Sequence, residues 1–348
     1  MMNKLMWLCF LLQLWCMICT SQKTDLDSSI NLEILRIFRN WITRNIGMNE
    51  RFVAQFEGKT QEEISADIPF PCNLTDSRSP IVPNSVHRLR PGDIDVIAAI
   101  GDSLTAGVGI FATNLIELSI ENRGASFSIG GEGTWRTYLT LPNIFKFISL
   151  MIGANDFCIN ICAVSSPWSI LEKHRIDLIN TFRILRDNLP RTLVSLIIMP
   201  NLKESILASE KGNSLKCYIM SILQCPCLHA LQFRNQRKEY FEIMKRWQKI
   251  EEEVANYSEF NKNDFTVIVS PGISNSKIPL TKNGFIDLSY LSADCFHISQ
   301  KSNALSANSL WNNLLQPIGN KTTFWTSLFK SFLCPTSKKP YLITRENS

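Results

Sequence analysis

Four short runs of apolar residues constrain the fold of this chain more than any other feature of its sequence. Each run is nearly continuous rather than alternating, which is typical of parallel strands that are buried on both faces. We predict such strands over residues 94–100, 147–152, 192–199 and 265–269.

Stretches with apolar residues at helical spacing separate the later runs and flank the series. They predict helices over residues 30–46, 168–188, 236–256 and 299–315. A segment rich in Pro, Ser and Asn, residues 66–93, leads into the first strand as a long loop. Strands that alternate with helices indicate an α/β fold with a parallel sheet.

The composition favours a globular protein and argues against two other classes. Of the 348 residues, 45% are apolar and 19% are charged, which excludes a disordered chain. Thirty-six basic and 31 acidic residues give a net charge of +5, too small a surplus for a dedicated nucleic-acid binder. No later stretch of about 20 apolar residues occurs, so we expect no internal membrane span.

The N-terminus has the organisation of a secretory signal peptide. Lys4 supplies a positive charge, an apolar run follows over residues 5–19, and Thr20 and Ser21 are small and polar. We expect cleavage near residues 19–22. A membrane anchor is the alternative, although the run is shorter than a span requires. We therefore expect a protein of the secretory pathway, either secreted or on the extracellular face of the membrane as part of a longer product.

Cysteine content fits the same compartment. An even number of cysteines after signal removal predicts disulfides, whose pairing the sequence leaves open. A zinc site at Cys225 and Cys227 is the alternative, but its spacing differs from the usual pair with two intervening residues. Sequons at Asn73, Asn256 and Asn320 predict a glycoprotein. The eight cysteines that follow the predicted signal peptide are Cys72, Cys158, Cys162, Cys217, Cys225, Cys227, Cys295 and Cys334.

Candidate reactive residues follow the predicted strands, where open parallel sheets place their active sites. Ser103 ends a Gly-Asp-Ser turn after the first strand, where its hydroxyl can act as a nucleophile and its backbone N–H can bind an oxyanion. Asn155 follows the second strand and can donate a hydrogen bond to developing negative charge. Each segment also has an ordinary interpretation, Ser103 as a helix N-cap and Asn155 as a turn residue.

A histidine lies near the C-terminal end of the predicted sheet region. His297 can serve as general base, and Asp294 can orient its ring and stabilise the imidazolium. A structural surface histidine is the alternative. The order of serine, asparagine, aspartate and histidine along the chain is more specific than any one of these segments.

These segments and their flanks resemble the GDSL (SGNH) hydrolases, specifically the phospholipase B branch. The resemblance runs from about residue 38 to residue 325. It is carried by IAAIGDSLTAG (97–107), NRG (122–124), SIGG (128–131), TLPNI (140–144), DCFH (294–297) and LWNNLLQPIG (310–319).

The resemblance implies a fold and a set of roles. The fold is an SGNH-type, flavodoxin-like three-layer sandwich with a parallel sheet. Ser103 is implied as the nucleophile, His297 as the base and Asp294 as its partner, while Asn155 and the Ser103 backbone N–H form the oxyanion hole. The family uses no metal and no organic cofactor. Its partners are phospholipid or other acyl-ester substrates and a lipid surface rather than nucleic acid, and the oligomeric state stays open.

One family block is missing from this sequence. A second block, whose glycine N–H completes the oxyanion hole, normally lies between the Leu-Pro-Asn-Ile segment and the Gly-x-Asn-Asp segment. Here no matching glycine lies between Gly133 and Gly153, as in a splice variant or an incomplete gene model that skips several tens of residues. We expect edge strand 2 of the family's 2-1-3-4-5 order to be absent, which leaves one edge of the first strand uncovered.

The resemblance implies a lipolytic serine esterase that hydrolyses acyl esters of glycerophospholipids and lysophospholipids through an acyl-enzyme. The alternative is a catalytically impaired or silent member that binds lipid or a partner. We expect a signal peptide over 1–21, an N-terminal helix and lead-in over 22–93, the hydrolase domain over 94–325 and a polar C-terminal tail over 326–348.

Overall fold

A computed structural model describes residues 50–143, 148–203, 206–207 and 214–348, together with 28, 30–31, 33–34, 36–38 and 41. The predicted signal peptide and its cleavage site lie outside the described residues. Most of the predicted helix 30–46 also lies outside them. Every residue of this range that the structure does describe is helical. The chain divides into two compact units, Met1–Asn49 and Glu50–Ser348, and the following description concerns the second.

Four parallel strands form the sheet, in the order β1-β2-β3-β4. The fold predicted from the four apolar runs is therefore confirmed, and each strand falls within or next to its predicted range. The strands are β1 (Ala98–Gly101), β2 (Ile148–Met151), β3 (Thr192–Ile197) and β4 (Phe265–Ser270).

The described residues contain seven complete α-helices. The three helices predicted over 168–188, 236–256 and 299–315 are present with bounds that differ by at most one residue at either end. The helices are α1 (Glu50–Phe56), α2 (Ser103–Ala106), α3 (Ser169–Asn188), α4 (Leu215–Gln224), α5 (Pro226–His229), α6 (Arg237–Ala255) and α7 (Gln300–Leu315).

The sheet is the middle of three layers, because its side chains alternate between two hydrophobic clusters. In β3, Val194 and Leu196 pack with residues of α3 and α6 on one side. Leu193 and Ile197 pack with residues of α7 on the other side. Alternation with period two is the geometry of a strand, and burial on both faces explains why these strands read as continuous apolar runs.

Strand β1 lies at an edge of the sheet and pairs only with β2 among the strands of the described residues. Its Ile100 side chain is 43% exposed. The expected absence of a strand beyond β1 agrees with this arrangement. The uncovered edge also explains why β1 begins later than predicted. Val96 belongs to the predicted range, but it lies before the strand and is 73% exposed.

The domain boundaries predicted at 93/94 and 325/326 stay predictions. The residues on both sides of each boundary belong to the same compact unit. The last residues contribute to its interior, where Leu342 and Thr344 are fully buried. Thr344 Oγ1 lies 2.8 Å from Nδ1 of the buried His87. Residues 326–348 thus pack against the lead-in to β1.

All eight cysteines of the described residues form disulfides, as predicted. Because Cys225 and Cys227 are both bonded to other cysteines, the zinc alternative is excluded. Both partners of this pair, Cys158 and Cys162, lie in the segment after β2. The four bonds are Cys72–Cys334, Cys158–Cys225, Cys162–Cys227 and Cys217–Cys295. Within the described part of the chain, no helix combines the length and hydropathy needed to cross a membrane.

Candidate active site

Ser103 lies immediately beyond the carboxyl end of β1 and begins the short helix α2. Asp102 caps this helix, since its Oδ1 accepts a hydrogen bond from the Leu104 N–H at 3.1 Å. The turn needs glycine at 101, because a Cβ there would lie 2.6 Å from the Met151 carbonyl oxygen and 2.2 Å from Thr105 Oγ1. As the first residue of a helix, Ser103 has a backbone N–H without an intrahelical partner.

The predicted histidine, His297, lies in a tight loop that is held by hydrogen bonds within the loop and by one to a neighbouring segment. Oδ1 of Asp294 accepts the backbone N–H groups of Phe296 and His297 at 3.0 and 2.9 Å. The Ser292 N–H donates to the His297 carbonyl at 2.7 Å. The Ser292 hydroxyl donates to the Gly109 carbonyl, also at 2.7 Å, which attaches this loop to the segment that follows Ser103.

Three of the four predicted residues form one continuous chain of hydrogen bonds. Ser103 Oγ lies 2.8 Å from His297 Nε2, and His297 Nδ1 lies 2.5 Å from Asp294 Oδ2. Asp294 is fully buried and His297 is 6% exposed. A buried carboxylate on Nδ1 leaves Nε2 as the nitrogen that can accept the serine proton.

Electrostatics keep Asp294 ionised. Burial alone would raise the pKa of its carboxyl, but the hydrogen bond and charge of His297 and the N–H groups of Phe296 and His297 outweigh it, so that the pKa is lowered. Asp102 behaves in the opposite way: burial raises the pKa of its carboxyl despite the N–H groups of Leu104 and Ala154. Asp294 is thus the carboxylate suited to stabilise an imidazolium.

Asn155 lies at the same end of the sheet as Ser103. Gly101 and Met151 are register partners in parallel strands, so Ser103 and Asn155 follow neighbouring carboxyl ends by two and four residues. The Asn155 side chain is exposed. Its neighbour Ala154 is buried, and the Ala154 N–H is one of the groups that lower the pKa of the Asp102 carboxyl against the larger effect of burial.

A buried aromatic residue supports the turn before Asn155. Gly153 has φ of +137°, and a Cβ at this position would lie 3.0 Å from the ring of Trp247. The Trp247 indole stacks on the His174 ring, with centroids 3.5 Å apart and planes inclined by 13°. The role of Trp247 was not predicted from the sequence, because Trp247 occupies an ordinary apolar position of an amphipathic helix.

The Trp247 indole is held by a buried acid. Its Nε1–H donates to Glu251 Oε1 at 3.2 Å, and the Met199 N–H donates to Glu251 Oε2 at the same distance. Glu251 is fully buried. Burial raises the pKa of Glu251 to about 8 and lowers the pKa of His174 to about 4, so both groups are neutral at pH 7.

A disulfide joins α4 to the histidine loop. Cys295 lies between Asp294 and Phe296 with φ of +59°, and its bond to Cys217 brings the two Cα atoms to 5.3 Å. Disulfides were predicted for both cysteines, but their pairing with each other was not, since the two are 78 residues apart. The sequence evidence for a disulfide was the even number of cysteines after the signal peptide, which predicts bonds in an oxidising compartment but not their partners.

Comparison with known proteins gives a family match and three relatives. The model of the GDSL-like lipase/acylhydrolase family matches residues 97–310. The chain is 31% identical over 331 residues to "Phospholipase B1, membrane-associated" of Homo sapiens, covering 77% of this chain and 22% of that protein. The protein of the same name from Mus musculus is 32% identical over 335 residues, with 77% and 22% covered. No solved structure was found to match the chain.

The chain spans about a fifth of the length of these curated relatives. The alignments also contain positions without a counterpart here: 77% of 348 residues is about 268, so about 60 of the 331 aligned positions have no residue in this chain. This number agrees with the several tens of residues that the sequence analysis expects to be missing.

The family match includes Ser103, Asn155, Asp294 and His297 and extends over more than half of the chain. The parallel sheet, the hydrogen-bonded serine, histidine and aspartate, and the relatives agree with it. The chain belongs to the GDSL-like lipase/acylhydrolase family.

Proposed function

We propose that this chain is a serine esterase that hydrolyses acyl esters of glycerophospholipids and lysophospholipids. The single observation that carries the proposal is the chain of hydrogen bonds from Ser103 Oγ through His297 to Asp294, at 2.8 and 2.5 Å. The phospholipid class is supported by the printed name of the relatives, which this chain matches over 22% of their length.

The proposed reaction has two halves. In the first, Ser103 Oγ attacks the ester carbonyl carbon while His297 Nε2 takes the hydroxyl proton. Collapse of the tetrahedral intermediate breaks the bond to the alcohol, which receives that proton, and leaves an acyl-Ser103. In the second, water gives a proton to His297 and attacks the acyl carbon. The bond between the acyl carbon and Ser103 Oγ then breaks, Ser103 Oγ takes the proton back from His297, and the fatty acid leaves.

The oxyanion of each tetrahedral intermediate needs donors. We propose the Ser103 backbone N–H, at the start of α2, and the Asn155 amide, at the end of the neighbouring strand. Removal of one such donor typically lowers kcat by about 10²–10³. A chain without the family's glycine block is therefore expected to be slower than a chain that has it.

An alternative function rests on a specific observation. About 60 aligned positions of the human relative have no residue here, and the Asn155 side chain is exposed. A catalytically impaired or silent member that binds lipid or a partner would have these features.

The proposed location is the secretory pathway. Four disulfides are typical of proteins that fold in oxidising compartments. The asparagines of all three sequons are exposed, Asn73, Asn256 and Asn320, so each is accessible to a glycosyltransferase. We expect a mass decrease on treatment of the secreted protein with an N-glycosidase.

The test of the proposed function is release of fatty acid from phosphatidylcholine and lysophosphatidylcholine by the secreted chain. We expect activity that is lost in Ser103→Ala and His297→Ala, while both variants keep their disulfides. Ser103→Ala should keep the thermal unfolding of the wild type, whereas His297→Ala should unfold at a lower temperature, because it leaves the buried Asp294 carboxylate without its partner. Equal fatty-acid release by the wild type and Ser103→Ala contradicts the serine mechanism. No release by any correctly folded protein favours the silent alternative.

A further inference from the structure

Helix α4 (Leu215–Gln224) turns its apolar side chains away from the protein. Leu215 is 73% exposed, and Leu223 is 54% exposed. With Tyr218 and Ile219, which are also exposed, they lie within an arc of about 140° at 100° per residue. We call these four residues the outer face of α4. The opposite side holds the buried Cys217 and Ser221, whereas an ordinary surface helix turns its apolar stripe inward.

Both ends of α4 are bonded to the loops of the candidate active site. Cys217, in its first turn, is bonded to Cys295 of the histidine loop. Cys225, the residue directly after the helix, is bonded to Cys158, three residues beyond Asn155. The helix thus spans from one loop of the candidate site to the other, and two covalent bonds fix it there.

In the stretch of sequence that contains α4, the charged residues are all basic. Residues 214–238 contain no Asp or Glu, while Lys216, Arg234 and Lys238 are exposed. An apolar helix face with basic neighbours is the composition of segments that lie in the interface of an anionic membrane, with apolar side chains among the acyl chains and cations at the headgroups. A helix face that contacts water alone gains nothing from this arrangement.

We infer that the outer face of α4 is the surface by which this protein docks on a phospholipid layer. Docking there sets the layer against the loops that carry Ser103, Asn155 and His297, so that a lipid reaches the site without crossing bulk water. This inference rests on the proposed function for its purpose, but binding itself does not require catalysis. It goes beyond the family match, which assigns no surface to the lipid.

The experiment is flotation of the secreted protein with phosphatidylcholine vesicles that contain a minor share of phosphatidylglycerol. All proteins carry Ser103→Ala, so that the vesicles stay intact. The test variant is Ile219→Gln with Leu223→Gln. The matched control is Ile176→Gln with Ile184→Gln on α3, whose side chains are also exposed.

We expect the test variant to lose vesicle partition by at least about tenfold, because burying two aliphatic side chains is worth more than the ~1.4 kcal/mol that a factor of ten represents. The control variant should float like the parent protein. Vesicles of phosphatidylcholine alone should bind the parent protein more weakly, since the basic residues then have no anionic partner.

Three results overturn the inference. The first is that the parent protein does not bind vesicles. The second is that the test variant and the parent protein partition equally. The third is that neither protein binds vesicles, while sedimentation shows a dimer for the parent protein and a monomer for the test variant. The last result identifies the outer face as an interface between two copies. The proposed function is judged separately, by wild-type hydrolysis of a soluble short-chain ester, and its failure leaves the vesicle result standing.

Discussion

Replacement of Glu251 by glutamine should stabilise the protein, and the gain should grow with pH. Glu251 is fully buried beneath the turn that bears Asn155, with hydrogen bonds from the Met199 N–H and the Trp247 indole. Burial raises its pKa from an ordinary 4.5 to about 8. Between these two values, the folded chain keeps a proton that the unfolded chain releases, so stability falls as pH rises.

The size of the effect follows from the shift. Each pH unit above 4.5 costs about 1.36 kcal/mol, which amounts to about 3 kcal/mol at pH 7 and to about 5 kcal/mol above pH 8. A glutamine has nearly the same shape, carries no titrating proton and can accept one of the two hydrogen bonds. The Glu251→Gln variant therefore escapes this loss.

The assay is urea unfolding, with disulfides intact, of the wild type and Glu251→Gln at pH 5, 6, 7 and 8. His174 Nε2 lies 3.7 Å from Glu251 Oε1, but burial lowers the pKa of His174 to about 4, so this histidine is neutral in both folded proteins from pH 5 to pH 8, and its titration in the unfolded chain is the same for both. Glu253→Gln, on the exposed side of the same helix, is the matched control. A hydrogen bond from Arg175 lowers the pKa of Glu253, so this variant should show no gain. A difference between Glu251→Gln and wild type that stays flat from pH 5 to pH 8 would refute the reasoning.

Three further predictions concern the site. Gly153→Ala should lower the free energy of unfolding by roughly 2–5 kcal/mol, because φ of +137° is strained for alanine and its Cβ meets the Trp247 ring at 3.0 Å; an unchanged urea midpoint contradicts this. Asp294→Asn should lower kcat for a soluble ester by about 10⁴, because the imidazolium loses its carboxylate, and should also lower the unfolding temperature at pH 7, because a carboxylate whose pKa is lowered by folding stabilises the folded chain above its ordinary pKa; full activity of the folded variant would exclude Asp294 from the mechanism. Serines at both Cys217 and Cys295 should lower the free energy of unfolding by about 2–4 kcal/mol and lower the rate of ester hydrolysis; an unchanged rate shows that the histidine loop holds its shape alone.

The strands and the longer helices were predictable because their burial leaves a direct signal. Strand β3 is buried on both faces and reads as a continuous apolar run, and α6 has a single buried stripe. Helix α4 was not predicted. Its apolar side chains face outward, and it ends at a cysteine-rich turn that conceals the periodicity.

The order of the candidate site residues was also predictable, but their support was not. Glu251 lies four residues after Trp247, on the apolar side of α6, but it begins a run of three acids, and an acid is rarely fully buried; its complete burial was therefore not predicted. The pairing of Cys217 with Cys295 depends on a contact between segments 78 residues apart. Local patterns carry no information on contacts of this kind.

The most direct test of the central claim is labelling of the secreted chain with a fluorophosphonate, followed by mass analysis of the modified peptide. A serine activated by His297 and Asp294 reacts with this probe, whereas an ordinary N-cap serine does not. We predict one label, on Ser103, and none in Ser103→Ala. Folded, disulfide-bonded protein that stays unlabelled, or that is labelled equally in Ser103→Ala, would contradict the account.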